Sequence, residues 1–131
     1  MKHKRLLQSI IALCSLVPLS AGGTGMILGP WMMQGAAVAP GLESHFRYLS
    51  GLLFAIGVAY VTAIPRIETQ GMRIYLLTGL VVMGGIGRVF SLSVIWPPSN
   101  SVIAALAMEL LVAPAVALWH YRATRSVSPN A

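Results

Sequence analysis

Four long apolar stretches, separated by short polar segments, run along this chain. Each is close to the length of about 20 mostly apolar residues that a helix needs to cross a bilayer. The first covers roughly 6–28, after the basic start KHKR, and the second roughly 46–64, ending at Pro65. The third covers roughly 72–96 and the fourth roughly 101–121. Between the last two lies WPPSN, whose paired prolines make it a turn. The tail ATRSVSPNA is polar and is expected to fray. The predicted fold is all-α: an integral membrane antiparallel four-helix bundle, with residues 1–131 forming a single transmembrane domain.

Composition supports the membrane reading. Hydrophobic residues make up 56% of the 131 and charged residues 9%, against about 25% charged in a soluble domain. Too few polar side chains exist to cover a water-facing surface. The net charge of +6 does not imply nucleic acid, because the cations sit in short segments beside apolar runs. Lys2, Lys4 and Arg5 precede the first span, Arg66 and Arg73 lie in the second loop, and Arg122 and Arg125 follow the fourth span. With four spans all of these fall on one side, and only Arg47, with Glu43 and His45 nearby, falls on the other. The positive-inside rule therefore puts both termini in the cytoplasm. Trp31, Tyr48 and Trp96 then mark the outer interface, and Tyr75, Trp119 and Tyr121 the inner one.

The first stretch has a second reading. KHKR, LLQSIIALCSLVPL and SAGG together have the pattern of a secretory signal peptide, whose cleavage near residue 22 would leave three spans. Apolar character continues past Gly23 through TGMILGPWMM, which favours a retained span. Small residues at four-residue spacing give packing candidates, since close backbone approach matters more than hydrophobicity between helices in lipid. They are Gly51, Ala55, Ala59 and Ala63 in the second span and Ala105, Ala113 and Ala117, in line with Glu109, in the fourth. Gly84 and Gly85 are the candidates in the third.

Two charges interrupt the apolar pattern. Arg88 lies eight residues before Trp96, and Glu109 lies eight after Ser101. At about 1.5 Å of rise per residue, each is roughly 12 Å from the WPPSN turn. Antiparallel neighbours would bring them level, as an interhelical ion pair. Intramembrane charges are costly and mark functional sites by default. The pair is either a structural clasp or part of an outer-leaflet pocket. In such a pocket Arg88 would bind an anionic or carbonyl group, Glu109 would orient it or carry a proton, and Ser91 and Ser93 would add hydroxyls. Arg47 either snorkels to headgroups or turns inward, giving two arginines against one glutamate. Pro114 should free a backbone carbonyl near residue 110 or kink its helix.

Other chemistries lack their residues. Cys14 is the only cysteine, so no CxxC exists. His3, His45 and His120 are too far apart along the spans to ligate one haem. No HExxH and no carboxylate cluster offers a catalytic metal a home. GGIGR lies inside a helical pattern with no preceding strand, so it is not a phosphate loop. No cofactor and no catalytic residue is expected.

HFRYLSGLLFAIGVAY, a basic loop, GGIGRVFSL and MELLVAP together resemble an uncharacterised family of short bacterial membrane proteins, known only as a domain of unknown function. The resemblance covers roughly residues 6–121 and implies four helices. Arg47, Arg88 and Glu109 match its charged positions. It is loosely similar to small four-helix membrane proteins of the DoxX type, linked to redox complexes, but this chain lacks their thiol chemistry. Three functions are carried forward in order: a non-enzymatic membrane subunit or assembly factor, a carrier of a small anionic or lipid-like molecule, and a membrane enzyme acting on a lipid or quinone. The expected partners are membrane lipids and a second membrane protein or another copy of the chain, with no nucleic acid.

Overall fold

A computed structural model describes residues 4–30 and 39–125. Lys2, His3, Trp31 and the polar tail from residue 126 lie outside the described residues. The described chain is all-α, with four helices: α1 (Lys4–Leu28), α2 (Pro40–Ala63), α3 (Gly71–Ser91) and α4 (Asn100–Arg125). A 3-10 turn, Ile64–Arg66, extends α2. All four helices are long and apolar enough to cross a membrane. Large apolar side chains such as Leu13, Ile27, Leu76, Met83 and Leu111 are exposed along them, as suits helices solvated by lipid rather than water.

The ends of the helices follow local chemistry rather than hydropathy. α2 begins at Pro40, before its apolar run, because proline is pre-organised for the first helical position. Glu43 in the first turn faces the positive end of the helix dipole. α3 stops at Ser91, short of the expected Trp96. Pro97 disfavours helical geometry at Trp96, and its ring would strike the carbonyl of Ser93. The backbone turns instead, with Leu92 N–H donating to Val89 O at 3.0 Å and Ser93 N–H to Phe90 O at 3.2 Å.

Within α4, Met108–Val112 forms a π-helical segment between α-helical Asn100–Ala107 and Ala113–Arg125. The Ala113 N–H reaches back five residues to Met108 O. Pro114 has no N–H for the Leu110 carbonyl, and widening the turn relieves the clash that its ring would make there.

The chain divides into two compact units, one made of residues up to Ile10 with those from Pro65 onward, the other of Ile11–Ile64. In the second unit, α1 and α2 run antiparallel, with Leu19 against Gly57, Gly22 against Ser50 and Phe54, and Gly25 against Ser50 and Phe46. A β-carbon at Gly22 would lie 2.5 Å from the Phe54 amide nitrogen and 2.7 Å from the Ser50 carbonyl oxygen. Only glycine permits that approach. In lipid, such proximity supplies the dispersion that hydrophobicity does not. Hydroxyls along α1 are satisfied internally, for example Ser15 Oγ donating to Ile11 O at 2.6 Å and Thr24 Oγ1 to Ser20 O at 2.7 Å. In the first unit, α3 and α4 are antiparallel, and the most buried side chains are Leu7, Ile67, Ile74 and His120.

These contacts predict opposite outcomes for two glycines. Gly22→Ala should lower stability by about 1–3 kcal/mol through overpacking. Gly84 meets open space, so Gly84→Ala should raise stability by up to about 1 kcal/mol. Thermal unfolding in detergent checks both, and a neutral Gly22→Ala would contradict the close packing.

Candidate functional site

In the first unit, Arg88 and Glu109 meet. Arg88 Nε donates to Glu109 Oε2 at 3.1 Å and Nη2 donates to Oε1 at 3.0 Å. The two parallel bonds form the fork that a planar guanidinium presents to a carboxylate. The side chains are 38% and 19% exposed, so the carboxylate is the more enclosed partner. Three local features bring them together. Arg88 occupies the last turn of α3, where a cation favours the negative end of the helix dipole. Glu109 stands on the π segment of α4. Gly85, one turn before Arg88, removes the side chain that would separate the helices: a β-carbon there would lie 3.0 Å from Glu109 Cβ and 2.7 Å from Leu110 Cδ2.

The hydroxyls expected beside this pair are engaged locally. Ser91 Oγ donates to the Arg88 carbonyl at 2.6 Å and Ser93 Oγ to the Phe90 carbonyl at 2.7 Å. They satisfy acceptors that the end of α3 leaves open.

Arg47 belongs to the second unit, where its partners are local. Its Nε donates to Glu43 Oε1, one turn earlier on α2. Its Nη1 donates to two carbonyls at the end of α1, Met26 O and Ile27 O, the latter at 2.9 Å. α1 ends in Gly29 with φ +70, whose N–H donates to Gly25 O at 3.0 Å. Arg47 thus completes an αL cap by covering acceptors left without intrahelical donors.

The packing candidates separate by face. Gly85 lies between α3 and α4, while Gly84 meets open space. A β-carbon at Gly51 would make only ordinary contact with Met26, 3.7 Å from its sulfur. Ala55 is exposed, and Ala59, Ala105 and Ala113 are half-buried. The α2 face that meets α1 carries Ser50, Phe54 and Gly57, one to two residues off the predicted ridge.

His120 is the site that sequence reasoning missed. It is fully buried. Nε2 is 2.7 Å from Ile67 O, and Nδ1 is 3.1 Å from the Tyr75 hydroxyl. A carbonyl only accepts, so Nε2 carries a proton, and in the neutral ring Nδ1 accepts from Tyr75. The histidine ties α4 to α3 and to the loop after α2. Tyr75 also packs edge-on against His120 and Tyr121, with centroids 5.6 and 6.2 Å apart. The place of His120 at the polar end of the fourth apolar run, opposite a loop whose carbonyls need donors, was the available signal. Among the described residues, no buried side-chain polar atom lacks a partner, and no three metal-ligating residues cluster.

His120→Phe should cost about 1–3 kcal/mol, because it leaves the Ile67 carbonyl buried without a donor. Arg47→Ala should cost about 1–2 kcal/mol by uncovering the end of α1. Thermal unfolding measures both, and hydrogen exchange should place the Arg47→Ala effect in the last turn of α1.

Comparison with curated proteins and with solved structures finds no match. A family profile described as a domain of unknown function (DUF4345) matches residues 6–120, a span that takes in both arginine–glutamate pairs, the glycine contacts and His120. The chain therefore belongs to the DUF4345 family, a domain of unknown function.

Proposed function

We propose that this protein is a multi-pass inner-membrane subunit or assembly factor without catalytic activity of its own. Its four spans form an antiparallel bundle with both termini cytoplasmic, and their exposed apolar faces take lipid and a partner membrane protein or a second copy. The observation that carries this reading is the two-bond fork between Arg88 and Glu109, beside the close contact of α3 and α4 at Gly85. Each charge neutralises the other, as a helix–helix clasp in lipid requires. Arg47 is likewise engaged by Glu43 and the end of α1. This favours scaffolding over catalysis.

A second reading rests on the 38% exposure of the Arg88 side chain. A small anionic or lipid-like ligand would approach the open side of its guanidinium, with Glu109 setting its orientation. Enzymatic action on a lipid or quinone ranks third, since it needs an acid or base beyond Glu109.

A double-mutant cycle separates the first two. Arg88→Ala and Glu109→Ala should each lower stability by about 2–4 kcal/mol. The double variant should lose about 1–2 kcal/mol less than the sum, with the response to added native lipid extract unchanged. If the single variants unfold like wild type but lose stabilisation by the extract, the ligand reading replaces the clasp. The subunit assignment has its own check: extraction of native membranes in mild detergent should yield a complex larger than the chain, and a monodisperse single chain would sink it.

A further inference from the structure

The charge balance of the chain is unusually explicit. It has three glutamates and no aspartate, and among the described residues Glu43 pairs with Arg47, Glu68 with Lys4 and Glu109 with Arg88. The formal surplus of +6 is therefore left to be met from outside the chain. Among the described residues, Arg5, Arg66 and Arg122 have no ion-pair partner, and all three belong to the first unit.

The same unit contains an open apolar groove of about 400 Å³, lined by Ile10, Leu111, Val112, Ala115, Val116 and Trp119. Ala115, Trp119 and Arg122 follow at spacings of four and three in the α-helical part of α4, so they share one helix face. Arg122 is exposed, one turn beyond Trp119. Along this face of α4 the hydrocarbon-like groove ends at Trp119, and the unpaired guanidinium of Arg122 follows one turn on.

That order matches the order of a phospholipid: acyl chain, glycerol region, phosphate. Tryptophan favours the interface, and a guanidinium forks onto phosphate oxygens. We propose that this face of α4 is a binding site for an anionic phospholipid, its acyl chain along Ala115 and Trp119 and its phosphate on Arg122. The site is separate from the Arg88–Glu109 pair. It rests on the reading of the chain as a membrane protein, and it adds a lipid class and a position.

The test is native mass spectrometry of the full chain in mild detergent, with an equimolar mixture of phosphatidylglycerol and phosphatidylcholine of identical acyl chains. Wild type should retain phosphatidylglycerol about fivefold over phosphatidylcholine. Arg122→Gln should abolish the preference, and Ala115→Phe, which fills the groove but keeps the charge, should reduce adducts of both lipids. Arg66→Gln removes a charge from the same unit outside the groove lining, and should keep the preference within about twofold. Equal retention of the two lipids by wild type overturns the proposal, as does an equal loss in Arg66→Gln, which would show general surface attraction. Cross-linking of Ala115→Cys between two chains, in a Cys14→Ser background, would put a second copy in the groove and overturn it as well. Release of the chain from membranes by alkaline carbonate would instead sink the membrane reading, whereas retention in membranes without lipid preference sinks only the site.

Discussion

A polar group in the middle of an apolar helix needs a partner within the protein, and this constraint shapes the contacts of Arg88, Glu109 and the helix hydroxyls. The hydrocarbon core of a bilayer offers no hydrogen bonds to an unpaired guanidinium or carboxylate. Arg88 and Glu109 answer it by pairing through two bonds. The fork in turn needs the backbones close, which Gly85 permits. It also needs Glu109 aimed at α3, on the segment that Pro114 widens. Glycine, proline and the ion pair thus form one arrangement.

Arg88 and Arg47 show how one residue type meets that constraint in two ways. Arg88 closes a pair between helices. Arg47 donates to backbone carbonyls that α1 leaves open at its end, while Glu43 takes its other side. The difference lies in what is nearby: a carboxylate on the facing helix for one, a helix terminus for the other. His120 repeats the second solution at a loop, supplying Ile67 with the donor that solvent would otherwise give.

Much of this could be read from the sequence, because it depends on counting. Apolar runs of bilayer length give the four helices, and WPPSN gives the turn that makes α3 and α4 neighbours. Equal separation from that turn suggested that Arg88 and Glu109 meet, although α3 ends at Ser91 and places Arg88 in its last turn. Other features depend on three-dimensional detail that counting does not carry. Hydropathy missed the first turns of α2, since GLESHFR is polar yet helical once Pro40 and Glu43 start it. The face of α2 against α1 carries Ser50, Phe54 and Gly57, beside the four-residue ridge, because the glycines of α1 fit against these residues. Arg47 reaches carbonyls on another helix, which spacing within α2 cannot reveal.

The widened turn in α4 also sets how the two halves of that helix are rotated about their common axis. In an unbroken α-helix each four-residue step overshoots a full revolution by about 40°, so a stripe at that spacing winds away from its starting line. A turn closed over five residues advances less per residue and takes back part of the excess between Glu109 and Ala113. The segment therefore works as a phase corrector. Gain or loss of one residue in Asn100–Ala107 or Ala113–Arg125 would swing one half by about 100° relative to the other. Loss of one residue inside Met108–Val112 would convert the wide turn towards an ordinary one. Chain length is thus tightly constrained along most of α4 and has one place of tolerance, beside its only carboxylate.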